Sequence, residues 1–162
     1  MKKVFSITIA CIMLFICIIP FAAFAADSTE DDAVFTQEEF ESFEHVYDEG
    51  IQLYTTGLIT NHTLGIAKNG TKLLITGLTQ GTSEVKKTGF TKVVIERKKA
   101  SDSSWSKYKT YSDLYSDSFK YTLNKSVAVE SGYQYRVTAT HYAKKSLFST
   151  QKIDATTGSL TF

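Results

Sequence analysis

Residues 133–143 constrain this chain more than any other stretch. They read Y-Q-Y-R-V-T-A-T-H-Y-A, with Tyr133, Tyr135, Val137, Ala139, His141 and Ala143 on one parity and Gln134, Arg136, Thr138, Thr140 and Tyr142 on the other. Successive side chains of a strand point to opposite faces, so an alternation sustained this long predicts a half-buried β-strand. The first set is expected to face a core. That leaves Arg136 and Tyr142 as the outward residues free to contact something else.

Residues 119–129 repeat the pattern. Phe119, Tyr121, Leu123, Val127 and Val129 share a face with Lys125, while Lys120, Thr122, Asn124 and Ser126 occupy the other. A lysine on the inward parity predicts either a stem laid over the core edge with its ammonium in water, or a bulge. Further strands are predicted at 58–68, 72–79, 91–99, 104–112 and 147–155, where Thr, Val, Ile, Tyr and Lys replace the helix formers. Apolar residues on both faces of 72–79 mark a central strand. Turn signals separate the strands, the strongest being Asn69-Gly70, since both residues tolerate the positive φ of a tight hairpin. Seven short strands at this spacing predict an all-β fold, a sandwich or a barrel, and Lys92, Lys98 and Lys120 in mid-strand disfavour a lipid-facing barrel and favour a seven-stranded antiparallel β-sandwich.

The N-terminus is of another kind. Met1-Lys2-Lys3, an apolar run to Ile19, Pro20 and Ala23-Phe24-Ala25 have the three regions of a secretory signal peptide, with cleavage expected before Ala26. Cys11 and Cys17, the two cysteines of the chain, fall inside it. The exported domain is therefore expected to be stable without a disulfide, in a compartment that permits them.

A near-zero net charge conceals a division. Residues 27–49 hold ten acids and no Lys or Arg, whereas residues 50–162 hold sixteen Lys and Arg against seven acids, so the two parts should attract each other. Within the acidic part, Thr36-Gln37-Glu38-Glu39 is a capping box, and Phe40, Phe43, Val46 and Tyr47 recur at helical spacing. The expectation is a short amphipathic helix over residues 37–48 in an otherwise mobile leader. The domain plan is thus a signal peptide at 1–25, an acidic leader at 26–50 and a sandwich at 51–162.

The run Tyr133-Gln134-Tyr135-Arg136-Val137-Thr138-Ala139, preceded by Val127, Val129 and the turn Ser131-Gly132, resembles the sixth strand of fibronectin type III and immunoglobulin-like sandwiches. That resemblance implies a tyrosine whose hydroxyl bonds back across a corner, a role carried to Tyr133 or, failing that, Tyr135. The order of signal peptide, acidic leader and G-Y-x-Y-R-V-x-A-x-H-Y-A strand resembles a family of short secreted proteins of Gram-positive, clostridia-like bacteria. It implies a fold and an extracellular address, with no activity attached.

Chemistry is sparse in the sequence. His45, His62 and His141 are the three histidines, and no spacing of a metal site, nucleophile elbow or phosphate loop accompanies them. The seven acids of the domain are scattered, without a pair suited to glycoside hydrolysis. Neither an enzyme nor a cofactor is expected. Trp105, Tyr108, Tyr111 and Tyr115, interleaved with Lys107 and Lys109, form the candidate ligand-contact patch, because such rings offer an apolar face with a polar tip. The expected role is a secreted binding module at the cell surface, contacting a cell-wall polymer, a glycan or another surface protein. An adhesive assembly unit and a small exported toxin or inhibitor are the alternatives. Export argues against nucleic acid, and membrane contact is expected only through the signal peptide before its removal.

Overall fold

A computed structural model describes residues 31–48 and 57–162; the expected signal peptide and cleavage site lie outside the described residues. Among these, the chain forms a short helix α1 (Gln37–Glu41) and nine strands: β1 (Glu44–Tyr47), β2 (Ile59–Asn69), β3 (Lys72–Gly81), β4 (Lys87–Lys98), β5 (Ser106–Ser116), β6 (Lys120–Ala128), β7 (Gln134–Ser146), β8 (Ser149–Thr156) and β9 (Leu160–Thr161). They make two antiparallel sheets. One has the order β1-β2-β3-β6; the other has the order β5-β4-β7-β8, with β9 paired to β7. The all-β expectation holds, and the predicted strands appear at β2 to β8, with β1 and β9 added.

The faces follow parity. Tyr135, Val137, Ala139, His141 and Ala143 are all buried on β7, as are Leu123, Lys125 and Val127 on β6. Leu64, Ile66, Leu73, Ile75, Phe90, Val93 and Ile95 join them between the sheets. Gly70, at φ 59, starts the two-residue turn between Asn69 and Lys72, so the bend falls one residue later than Asn69-Gly70. Phe119 departs from its predicted inward place. It precedes the first residue of β6 and is 47 % exposed, because the β5–β6 turn, not the pleat, sets its direction.

Lys125 is also corrected. The β3–β6 register runs without a bulge, and the lysine is 4 % exposed, its ammonium paired with the Asp32 carboxylate. An acid from outside the sandwich thus replaces the water expected around that ammonium.

The predicted helix over residues 37–48 is half right. Thr36 Oγ1 accepts from the Glu39 N–H at 3.1 Å and the Thr36 N–H donates to Glu39 Oε2 at 2.7 Å, a complete capping box. The helix stops at Glu41, however, and residues 44–47 become an edge strand antiparallel to β2. Pairing with an open sheet edge satisfies the backbone of a segment too short to be stable as an isolated helix.

Residues 31–48 together form a strap across the outside of the first sheet. Phe40 is fully buried there against Ala67 and Leu74, with Phe35, Phe43 and Tyr47 packed around it. Burying such a ring is worth about 1.5–3 kcal/mol. Gly65 makes room: a Cβ there would stand 2.7 Å from the Tyr47 ring. The apolar outer side of the central strand β3, legible at Leu74, is thus covered by the acidic segment. Both ends of the strap reach further. Asp31 pairs with Lys109 on β5 and its carbonyl accepts from Ser126 N at 2.8 Å, while Asp48 bridges to Thr157 beyond β8.

Candidate functional site

The six residues of the candidate patch do not come together. Between Ile95 and Glu96 the β4–β5 register slips, with Ile95 opposite Lys109 and Glu96 opposite Lys107, so Tyr108 is the extra residue and turns inward. Its ring meets Tyr135 edge-on at 5.5 Å, and its hydroxyl donates to the Ala128 carbonyl at 3.0 Å. Tyr111 also faces in. Its hydroxyl donates to Asp31 Oδ2 at 2.8 Å, and burial together with that carboxylate pushes its pKa up. Lys109 ends on the same carboxylate. Tyr111 and Lys109 thus hold the strap through Asp31, while Tyr108 packs against the core.

Trp105, Lys107 and Tyr115 remain outside, at two separate places. Tyr115 lies near the far end of β5, its ring 5.3 Å from Tyr142 and with Lys87 5.4 Å from its centroid. Ten residues of extended chain, about 30 Å, separate it from Trp105. At the Trp105 end, the Arg136 guanidinium stands 4.5 Å from the indole centroid and the Lys98 ammonium 5.0 Å away. Arg136 Nε donates to Glu96 Oε2 at 2.8 Å, which fixes the guanidinium in place. Lys107 lies opposite Glu96 and is exposed. The parity of β7 had left Arg136 outward. Nothing in the spacing of Lys98 and Trp105 announced that a hairpin turn would bring them beside it.

On the inner side of the same end, Arg97 stands over Tyr108 at 4.8 Å and Tyr133 at 4.5 Å, and donates to Glu130 Oε1 at 2.8 Å. Tyr135, not Tyr133, turns the corner: its hydroxyl accepts from Glu130 N at 3.0 Å and donates to Glu130 O at 3.2 Å. Tyr133 is half-buried beside it.

A second polar group lies deep between the sheets. His141 is fully buried and His62 is 3 % exposed, with ring centroids 4.8 Å apart. The Thr79 hydroxyl donates to Gly89 O at 3.1 Å, so it accepts from His141 Nδ1 at 2.8 Å. That assigns the neutral tautomer with its proton on Nδ1. Burial, helped by the neighbouring His62, holds the His141 pKa down to about 3; burial lowers that of His62 too, against the pull of Asp48, whose Oδ2 is 3.9 Å from His62 Nδ1. No substrate reaches rings sealed in this way. No group of three metal-ligating side chains occurs among the described residues.

Open grooves flank the strap, two of them larger than the one of about 270 Å³ beside Phe35 and Phe43. The larger, about 770 Å³, contains the Asp31 and Asp32 carboxylates beside Lys72, Tyr108 and Lys109, so its charges are already mutually compensated. The smaller, about 360 Å³, runs from Gln37 and Tyr47 to Lys120. Neither shares a residue with the Trp105 cluster. No family model matches the chain, and neither a curated protein nor a solved structure matches it. No helix among the described residues is long and apolar enough to cross a membrane.

Proposed function

We propose that this protein is an extracellular, non-catalytic module of the immunoglobulin and fibronectin type III kind, and that its Trp105 end binds an anionic polymer of the cell surface. The strand order supports the kind. With β2-β3-β6 in one sheet, β4-β7-β8 in the other and β5 beside β4, it corresponds to the A-B-E and C-F-G sheets of such sandwiches with one strand added. Tyr135, at the start of the sixth of these strands and bonded to the backbone five residues upstream, supports the same reading.

The observation that carries the binding role is Trp105, partly exposed, with Arg136 and Lys98 at its ring and Lys107 nearby. An indole gives a sugar or glycerol unit an apolar surface, and the three cations supply the charge that a phosphate or carboxylate repeat needs. Glu96 orients Arg136 and leaves guanidinium donors for the ligand.

The test is co-sedimentation of the chain with isolated cell walls at low and high salt. Binding should be strong at low salt and fall as salt screens the cations. Trp105→Ala and Arg136→Ala should each weaken it at least about tenfold, the loss expected of a central aromatic or arginine anchor. Absence of sedimentation at both salt concentrations would sink the reading.

A further inference from the structure

The opposite end of the sandwich carries a second surface, independent of the Trp105 cluster. The β7–β8 hairpin closes with Ser146 opposite Ser149, so its turn consists of Leu147 and Phe148. These side chains are 79 % and 100 % exposed. Two-residue turns favour Asn, Asp and Gly, and among the described residues nothing buries these two. Phe119 projects at the same end: Gly81 N, at the close of β3, donates to its carbonyl, and Thr88 Oγ1, at the start of β4, donates to the carbonyl of Ser118. Three of the four large exposed apolar side chains among the described residues therefore gather here.

Lysines surround them. Lys86 N donates to Lys144 O at 2.9 Å, and Lys87 lies directly opposite Lys144 in the β4–β7 register. Like charges opposed on neighbouring strands repel, a cost that the fold itself does not require. Lys145 is next to the turn. Among the described residues the carboxylates at this end are Glu84, held by Lys145 at 2.6 Å, Asp117, held by Lys87 at 3.5 Å, and Asp113, which accepts from the Tyr115 hydroxyl at 3.2 Å. Lys86 and Lys144 have no carboxylate partner among the described residues. Behind them, Tyr115 and Tyr142 form an aromatic pair on the outer sheet face.

We infer that this end docks on an anionic lipid bilayer, with Leu147 and Phe148 entering the acyl boundary and Lys86, Lys87, Lys144 and Lys145 meeting the headgroups. An apolar tip ringed by cations fits a surface that is charged outside and apolar a few ångströms within, and tyrosines suit the boundary between. A polyanion in water would satisfy the lysines and leave Leu147 and Phe148 uncovered. Membrane contact then extends beyond the signal peptide, to which the sequence alone had confined it.

Because the apolar residues 4–19 give the full chain a route to any bilayer, the experiment reads the tip itself. Phe148→Trp, combined with Trp105→Phe, places the one indole at the turn; both sites are on the surface, and circular dichroism checks that the fold persists. On vesicles of phosphatidylglycerol and phosphatidylcholine its emission should move to the blue and be quenched by brominated acyl chains. Apparent affinity read from that signal should fall roughly fivefold per lysine lost in Lys144→Gln and Lys145→Gln. Leu147→Ser should weaken it at least about tenfold. A water-like emission that vesicles leave unchanged would overturn the inference, even if the chain pellets with them. So would an equal shift on phosphatidylcholine alone, or a shift produced by wall fragments and not by vesicles. Loss of wall binding in the Trp105 variants tests the other end and leaves this result untouched.

Discussion

His141 donates through Nδ1 to the Thr79 hydroxyl at 2.8 Å while its ring stands 4.8 Å from that of His62, in a core closed to solvent. Facing the pair are Asp48 from the end of the strap, Thr79 from β3 and Phe90 from β4. Burial disfavours the protonated form of both rings in the folded protein. In the unfolded chain they take up protons near the ordinary 6.5.

Stability should therefore rise with pH across this window. Below 6.5 the unfolded state binds protons that folded His141 refuses until about 3, so folding weakens by about 1.4 kcal/mol per pH unit, or about 2 kcal/mol by pH 5. His62, lowered in the same direction, adds to the effect. Urea unfolding at pH 7.5 and pH 5 measures it. His141→Leu should flatten the dependence, and an equally steep loss in that variant would show that the histidine is not its source.

The strap should be part of the stability of the domain. Phe40→Ala removes a fully buried ring and should cost about 3–5 kcal/mol in denaturant unfolding. Gly65→Ala drives a methyl group into the Tyr47 ring and should cost about 1–3 kcal/mol while leaving the second sheet intact. Limited proteolysis would then find residues 31–48 cut first. A Phe40→Ala midpoint within error of the parent would remove the strap from the core.

Tyr135→Phe should cost about 1–3 kcal/mol, since it leaves the Glu130 backbone groups without their hydroxyl partner. Tyr133→Phe should change stability by less than about 0.5 kcal/mol, because it keeps the half-buried ring and removes only a hydroxyl that does not serve the Glu130 backbone. Thermal unfolding of the two single variants gives the comparison, and the reverse ranking would return the corner to Tyr133.

The aromatic residues on and just before β5 should separate by phenotype. Tyr108→Ala and Tyr111→Ala are expected to lower stability by about 2–4 kcal/mol, with Tyr111→Ala also loosening Asp31. Trp105→Ala should leave stability within about 1 kcal/mol and lose wall binding. Tyr115→Ala should keep that binding, because it sits at the other end of the strand. Chemical denaturation and sedimentation on the same four proteins distinguish a shared patch from a divided one.

How much of this was readable depended on the length of each pattern. On β7, five inward residues in strict alternation leave one reading, and the structure follows it from Tyr135 to Ala143. Over residues 40–47 the apolar positions fit a helix and, equally, a turn of helix followed by four residues of strand; only the open edge of β2 decides between them. Lys125 was visible as an exception, but its partner lies 93 residues away, beyond the reach of any local pattern. The divided patch failed for a third reason. The slipped residue at Tyr108 and the left-handed Asp113, at φ 58 between Tyr111 and Tyr115, both break the alternation that nearness in sequence implies, and no residue type marks either.

The strap has a consequence for the order of assembly. Its first residues, Asp31 and Asp32, close onto Lys109, Ser126 and Lys125, so the strap waits for β5 and β6 before it can lock. Contacts of such long range form late, after the loops between them are closed. Until then Ala67 and Leu74 stay uncovered on the outer face of the first sheet. A chain truncated before Lys125 therefore keeps a greasy patch in view of chaperones and proteases, and the acidic segment acts as a seal that only a finished sandwich can receive.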